Sequence, residues 1–181
     1  MTDRTDLFRV LVIGTGNSAR SQIAEALILT RGEKRPMGRV IAESCGTKPS
    51  VQINEYGIVA LMTHGIGWAR HKPKPIDAFA GERIDLVITV CDHARAVVGA
   101  FPGAKAQVHW GLADPSEHIA SATARAAFAG TCNALVARVN ALLRLPLETM
   151  SAAELQEQAQ AVHDGLLAPS QRSSARLRRP T

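Results

Sequence analysis

A loop of small and polar residues holds the side chains of this chain that are best suited to chemistry. It consists of Gly14, Thr15, Gly16, Asn17, Ser18, Ala19, Arg20 and Ser21. An apolar run from Phe8 to Ile13 precedes it and predicts a buried strand, and the residues after it have helical spacing. The N–H groups of such a loop converge at a helix N-terminus, and a guanidinium donates in pairs. The loop therefore predicts a site for phosphate, arsenate or sulfate, with all of its residues as ligands.

The same loop also satisfies the Gly-x-Gly-x-x-Ala pattern of dinucleotide-binding proteins. Such a site requires an acidic residue about 20 positions further on, to hold the ribose. The best candidate is Glu43, which lies 29 positions after Gly14. Dinucleotide binding therefore stays an alternative to the oxyanion site, and no cofactor is predicted.

Strands alternate with helices along the chain. Four strands are predicted, at Phe8 to Ile13, Arg39 to Glu43, Asp85 to Val90 and Ala106 to Trp110. The helices are predicted at Gln22 to Ile28, Asn54 to His64, Ala94 to Val98 and Ile119 to Leu143, the last with a possible break near Gly130. This alternation predicts an α/β fold of three layers, in which helices cover both faces of a four-stranded parallel sheet.

Length and composition predict one compact domain followed by a short extension. The chain has 181 residues, 46% hydrophobic and 20% charged, which argues against global disorder. We expect residues 1–146 to form the α/β domain and residues 147–164 to form an appended helix that opens with a capping box, Ser151 to Glu154. Residues 165–181 are predicted to be a basic, disordered tail. The oligomeric state stays open.

The charge distribution and the N-terminal sequence limit the partners and the location that can be expected. The net charge is +5, but the four arginines of the tail account for four of these charges and leave +1 on the rest. Nucleic acid is therefore not an expected partner. The longest early apolar run ends at Gly14, far short of a membrane span, so no membrane association is expected. The acidic residues near the N-terminus do not match a secretory signal, which predicts a cytoplasmic location.

The cysteines and histidines show no metal-binding spacing. The three cysteines, Cys45, Cys91 and Cys132, are odd in number and lack a Cys-x-x-Cys pair, so neither a disulfide framework nor a zinc site is predicted. Cys45 and Cys132 are interpreted as small core residues. The histidines at positions 64, 71, 93 and 118 share no helix face, and no metal is predicted. A basic loop with Arg70, Lys72 and Lys74 is interpreted as solvated.

Three segments, in order, resemble the low-molecular-weight protein tyrosine phosphatases and the arsenate reductases that share their fold. The loop at residues 14–21 matches the family's Cys-x5-Arg-Ser pattern except at its first residue, which here is Gly14. The segment at residues 43–47 resembles Ser-Ala-Gly-Thr, in which the serine, here Ser44, braces the loop asparagine, here Asn17. The segment at residues 109–115 resembles the one that carries the general acid, here Asp114. The resemblance extends over about residues 8–145.

The resemblance implies an oxyanion site whose covalent chemistry is lost or altered. In the family a cysteine thiolate at the head of the loop attacks phosphorus or arsenic, whereas glycine has no side chain that could attack. The implied catalytic residues are Arg20, Asp114 and Cys91, the last at the position of the reductases' second cysteine. The Trp-Gly-x-x-Asp-Pro segment and Cys91 favour the arsenate branch. An active enzyme that uses another thiol such as Cys91, with a thiol donor as partner, stays an alternative to a binding protein.

Overall fold

The computed structural model describes residues 7–117 and 120–166. The strands are β1 (Leu7–Gly14), β2 (Arg39–Gly46), β3 (Ile84–Thr89) and β4 (Ala104–His109). The helices are α1 (Arg20–Gly32), α2 (Glu55–Met62), α3 (Asp92–Val98), α4 (Ser121–Leu142) and α5 (Ala152–Gly165). Two short 3-10 turns lie at Ile76–Phe79 and Pro115–Glu117.

The four strands form one parallel sheet in the order β2-β1-β3-β4. Strand β1 lies between two neighbours, and helices cover both of its faces, which is why Leu11, Val12 and Ile13 are fully buried. In a parallel sheet the carboxyl ends of all strands meet at one edge, and there the loops after β1, β3 and β4 come together. The predicted four-stranded parallel sheet is confirmed.

Alternate residues of the strands contribute to two separate apolar cores, one on each face of the sheet, so the fold has three layers. Val10 and Val12 face the larger core, which they share with residues of α1, α2, α4 and α5. Leu11 and Ile13 face the smaller core, with Ala94 of α3. This division follows from the two-residue period of a strand, whose side chains point alternately to opposite faces.

Helix α4 and strand β4 differ in detail from the sequence prediction. Helix α4 continues without a break past Gly130, where a Cβ atom would meet open space, so this glycine lies on an uncrowded helix surface. Strand β4 ends at His109, so the prediction that it includes Trp110 is wrong. The predicted helix start at Ile119 lies outside the described residues. Among the residues described, no helix has the length and apolar character that crossing a membrane requires.

Helix α5 packs against β4 and contributes to the larger core. Its Leu155 and Ala159 are fully buried. The indole Nε1 of Trp110 donates to the carbonyl of Ala159 at 3.0 Å. The Gln160 side chain bonds both the N–H and the carbonyl of His109, at 2.9 and 3.0 Å. The predicted capping box at the start of α5 is present, whereas residues 167–181 of the predicted tail lie outside the described residues.

Acidification is expected to weaken the α4–α5 contact. Arg138 Nε donates to His163 Nδ1 at 2.9 Å, and both side chains are buried. Burial and the neighbouring Arg138 charge lower the pKa of His163 from 6.5 to about 4. The unfolded chain therefore binds this proton more tightly, and the contribution of His163 to stability is complete above pH 6.5 and is lost as the pH falls toward 4. The loss is expected to reach at most about 3 kcal/mol.

Denaturant titrations between neutral and mildly acidic pH measure this loss. His163→Asn keeps an acceptor for Arg138 Nε and removes the titrating ring. The free energy of unfolding of this variant should therefore decrease less than that of the unchanged chain as the pH is lowered. Burial also lowers the pKa of His109, so part of the slope should remain. An equal slope in the variant and the unchanged chain would contradict the assignment to His163.

Candidate functional site

The loop between β1 and α1 lines a cavity of about 540 Å³ at the carboxyl edge of the sheet. All eight loop residues at positions 14–21 contribute to its wall. The other lining residues are Ser50, Val90, Cys91, Asp92, His93, Leu112, Asp114, Ser116 and Glu117. The structure thus brings the loop together with Cys91 and Asp114, which lie far from it in sequence. Ser44 is not part of the cavity wall and lies behind the loop, in contact with Asn17.

The backbone of the loop has its carbonyls occupied and its amides free. Four carbonyls accept hydrogen bonds from the segment after β2: Gly14 from Thr47 N, Thr15 from Lys48 N, Gly16 from Ser50 N and Ser18 from Asn54 N, at 2.8 to 3.1 Å. Within the described part of the chain, no amide N–H of residues 15–19 donates to another protein group. The loop therefore has several unused donors beside the cavity and few unused backbone acceptors.

The start of α1 adds further unused donors. The helix begins at Arg20, and Ala19 at its N-cap offers no side-chain acceptor. The first turn of α1 has no acidic residue. The first amides of a helix lack intrahelical partners and carry the positive end of its dipole. This end of α1 is therefore suited to an anion.

Asn17 fixes the shape of the loop. Its φ of 49° lies in the left-handed region, which asparagine tolerates better than most residues. Its amide nitrogen donates to Ser44 Oγ at 2.7 Å and to Ser21 Oγ at 3.0 Å. Its amide oxygen accepts from Gln22 Nε2 at 3.1 Å and from the backbone N–H of Lys74 at 2.8 Å. The Ser44 contact is the one that the resemblance implies. The buried amide of Asn17 stabilises the loop through hydrogen bonds to both its nitrogen and its oxygen.

A buried polar network behind Asn17 was missed by sequence reasoning. Ser44 Oγ donates to Glu25 Oε2 at 2.5 Å, and Lys74 Nζ lies 3.4 Å from Glu25 Oε1. Burial raises the pKa of Glu25. On the other side, Trp68 Nε1 donates to Gln22 Oε1 at 2.8 Å. The residues from Ser21 to Ile28 are all buried, so the polar side chains of α1 do not mark a solvent face that periodicity could reveal.

The basic loop after α2 is only partly solvated. Arg70 and Lys72 are exposed, as predicted. Lys74, in contrast, is half-buried, and its backbone N–H bonds Asn17 while its ammonium approaches Glu25. The interpretation of Lys74 as a solvated residue is therefore wrong, because its side chain is half-buried and its backbone N–H anchors the loop at residues 14–21.

The floor of the cavity lacks a side chain at Gly14. A Cβ atom on this residue would lie 3.1 Å from Ser21 Oγ and 3.6 Å from Val90 Cγ2. A side chain at position 14 would thus stand beside the Ser21 hydroxyl. That hydroxyl accepts from Asn17 Nδ2, so its own hydrogen is left to donate to another group.

Arg20 and Asp114 form an ion pair on the cavity wall. Arg20 Nη2 lies 2.8 Å from Asp114 Oδ2, and Arg20 Nη1 donates to the Leu112 carbonyl at 2.6 Å. Asp114 Oδ1 accepts from the backbone N–H and the hydroxyl of Ser116, at 3.0 and 2.5 Å. Both side chains are thus held in place at the cavity by contacts from the segment after β4.

Of the three thiols, only Cys91 lines the cavity. Its Sγ lies 3.2 Å from Thr15 Oγ1, which is also 3.3 Å from His93 Nδ1. Cys45 and Cys132 are buried in the core, as predicted. Burial raises the pKa of Cys45 to about 12 and that of Cys132 to about 11. All three cysteines are free.

No metal site is found among the residues that the structure describes, since no group of His, Cys, Asp or Glu has the arrangement a metal ion needs. His118, one of the histidines considered from sequence, lies outside the described residues.

Most of the chain matches a known protein family. The family described as low molecular weight phosphotyrosine protein phosphatase matches residues 9–161. The chain belongs to this family. The match continues past residue 145, where the resemblance ended in the sequence analysis, and includes most of α5.

The curated relatives of this phosphatase-family chain include arsenate reductases. The arsenate reductase of Halalkalibacterium halodurans is 35% identical over 103 residues, which cover 57% of this chain and 70% of the relative. The arsenate reductase of Bacillus cereus strain Q1 is 37% identical over 103 residues, or 56% of this chain and 72% of the relative.

Solved structures show the same fold. An arsenate reductase from Archaeoglobus fulgidus has a TM-score of 0.56 at 26% identity and covers 72% of this chain and 98% of its own. An arsenate reductase in a phosphate-binding state has a TM-score of 0.61 at 24% identity, with 75% and 96% covered. A low-molecular-weight phosphatase from T. tengcongensis has a TM-score of 0.59 at 19% identity, with 74% and 95% covered.

Proposed function

We propose that this member of the family binds a tetrahedral oxyanion, arsenate or phosphate, in the loop at residues 14–21 and that its covalent catalysis is lost or altered. The observation that carries the proposal is the polarity of the loop. Four of its carbonyls are bonded from outside, its amides at residues 15–19 are unused within the described part of the chain, and it surrounds a cavity with no side chain at Gly14. Such a cradle can hold an anion but offers it no nucleophile from the head of the loop.

Three kinds of donor support oxyanion binding. The free loop amides and the first turn of α1 supply neutral N–H groups at a positive helix end. The Ser21 hydroxyl has a hydrogen to give, because its oxygen already accepts from Asn17. The guanidinium of Arg20 lies on the same wall and can donate two parallel hydrogen bonds to an oxyanion.

The choice of arsenate over a phosphotyrosine ester rests on two observations. The relatives at 35% and 37% identity are arsenate reductases. The described lining residues include no Phe, Tyr or Trp that could stack on a phosphotyrosine ring. We propose that inorganic arsenate and phosphate, rather than aryl esters, are the ligands.

A second candidate function is an active enzyme that uses Cys91. The observation in its favour is that Cys91 lines the same cavity, with its Sγ 3.2 Å from Thr15 Oγ1 in the loop. In this scheme the Cys91 thiolate attacks arsenic, and one arsenate oxygen leaves as water after protonation. A thiol donor then attacks Cys91 Sγ, the As–S bond breaks with its electron pair going to arsenic, and arsenite departs, leaving a mixed disulfide that a second thiol reduces. Cys91→Ser should abolish any arsenate-dependent thiol oxidation that the unchanged chain catalyses.

Dinucleotide binding receives no support from the geometry. Glu43, the candidate for holding the ribose, is absent from the cavity wall. Its carboxylate lies 3.6 Å from Arg9 Nη2 and 3.7 Å from Lys74 Nζ. A titration with NADH is therefore expected to give no binding, and it serves as the negative control for the anion titrations.

Calorimetric titration tests the proposed function. Arsenate and phosphate should each bind the purified full chain at one site, while turnover of small aryl phosphates stays negligible because position 14 has no nucleophile. Absence of heat and of a thermal shift at millimolar anion would refute the proposal. Turnover that survives purification and Cys91→Ser would refute its catalytic half.

A further inference from the structure

Acidic side chains outnumber basic ones on the wall of the oxyanion cavity. Asp92, Asp114 and Glu117 line it together with Arg20. Asp114 is also the ion-pair partner of that arginine. An anion that binds Arg20 must therefore come close to an aspartate. This arrangement calls for an explanation, because a carboxylate repels most anions.

The hydrogen bonds of Asp114 leave room for a further donor. A carboxylate has about four lone-pair positions and accepts only. Oδ1 accepts twice from Ser116, and Oδ2 lies 2.8 Å from Arg20 Nη2 in the ion pair. Oδ2, the oxygen that is next to the guanidinium, therefore keeps at least one lone-pair position for a further donor. A ligand oxygen bound to the fork of Arg20 comes alongside Oδ2, where it is tolerated well only if it carries a hydrogen.

We infer that Asp114 selects oxyanions that carry a proton. Hydrogen arsenate and hydrogen phosphate can donate an O–H to Oδ2, whereas sulfate and selenate have the same shape but no hydrogen to donate. With the proton-free anions Asp114 loses its hydrogen bond and gains a like-charge contact. The inference rests on the proposed oxyanion site, and it makes Asp114 a specificity-determining residue of that site.

Titrations with matched anions test this selectivity. At mildly alkaline pH phosphate and sulfate are both mainly dianions of similar size, and arsenate and selenate form a second such pair. The unchanged chain should bind phosphate over sulfate, and arsenate over selenate, by about tenfold to a hundredfold, the size expected for one hydrogen bond to a charged group.

Asp114→Asn should remove the selectivity. The two Ser116 donors are expected to keep the amide oxygen at the Oδ1 position. The amide nitrogen then replaces Oδ2, a donor replaces an acceptor, and the Arg20 guanidinium, which has lost its ion-pair partner, must turn away from it. The affinities for sulfate and selenate should then rise by about tenfold or more. Within each pair, phosphate with sulfate and arsenate with selenate, the two affinities should differ by no more than about threefold. A thermal melt checks that the variant is folded.

Glu117→Gln is the matched control. Glu117 lines the same cavity and carries the same charge, but no ion pair joins it to Arg20 in the described part of the chain. If this variant gains sulfate affinity as strongly as Asp114→Asn, the selectivity comes from net charge and the inference is overturned. Equal binding of all four anions by the unchanged chain overturns the inference and leaves the proposed function standing. Binding of none of them overturns both.

Discussion

Gly14→Cys is expected to create turnover about 10³-fold or more above that of the unchanged chain. The reason is that a nucleophile acting together with an acid and anion-binding groups raises the reaction rate by several orders of magnitude. The new Cβ atom fits if Ser21 Oγ, 3.1 Å away, moves by a few tenths of an ångström. The sulfur would then stand beside a hydroxyl, free loop amides and a helix N-terminus, all of which stabilise a thiolate. Release of the phenol from an aryl phosphate, or arsenate-dependent thiol oxidation, measures the gain.

Gly14→Ser is the matched control for this gain. It adds a side chain of nearly the same size at the same point. At neutral pH, however, a serine hydroxyl is a much weaker nucleophile than a cysteine thiolate. Activity in the cysteine variant and not in the serine variant supports an otherwise intact site. A folded cysteine variant without activity would mean that Arg20 and Asp114 do not lie where the family's reaction needs them.

The same variant should bind oxyanions more weakly than the unchanged chain does. A thiolate about 4 Å from a bound anion repels it by at most about 4 kcal/mol per unit charge at an effective dielectric constant of 20. Screening and partial protonation reduce that figure. Calorimetry at a pH where the thiol is ionised should therefore show weaker arsenate binding to Gly14→Cys than to Gly14→Ser.

Arg20→Ala is expected to lower the affinity for arsenate and phosphate by about a hundredfold or more, the second largest effect expected here. The variant removes a bidentate cation and leaves Asp114 Oδ2 facing the anion without its 2.8 Å partner. Arg20→Lys keeps the charge but not the planar fork, so its affinity should lie between those of the unchanged chain and of Arg20→Ala. Isothermal titration with arsenate provides the affinities.

Two controls separate the causes of this loss. Arg70→Ala removes an exposed arginine outside the cavity wall and should leave arsenate affinity unchanged. Adding Asp114→Asn to Arg20→Ala removes the unpaired carboxylate, so the affinity it recovers measures the repulsion by Asp114. Unchanged arsenate affinity in Arg20→Ala would rule out the loop as the binding site.

Strands β1 and β3 were predictable from local pattern, because parallel strands that are buried on both faces are nearly continuous apolar runs. The run from Phe8 to Ile13 needs no tertiary information, since both of its faces are covered. The position of α5 was not predictable in this way. Its packing depends on Gln160 bonding the backbone of His109 and on Trp110 reaching Ala159, contacts between residues about 50 positions apart that no local period encodes.

The candidate site was predictable where it is a contiguous loop or resembles a known segment. Asn17, Ser44 and Asp114 were found in this way, and their contacts join the loop to β2 and to the segment after β4. Gln22 and Lys74 were missed. Gln22 lies in a helix segment that is buried on every side, and Lys74 acts through its backbone N–H, which is independent of residue type. The cytoplasmic location stays a prediction.

The most direct test of the central claim is the position of arsenic in a crystal of the full chain grown or soaked with arsenate. Anomalous scattering at the arsenic absorption edge locates that atom without reference to the protein. We expect one strong peak inside the loop at residues 14–21, within hydrogen-bonding reach of its amides and of Arg20 through the arsenate oxygens, with no bond from arsenic to sulfur. A peak bonded to Cys91 Sγ would favour the enzyme that uses this thiol. A peak elsewhere, or an empty loop at saturating arsenate, would contradict the proposal that this loop binds arsenate.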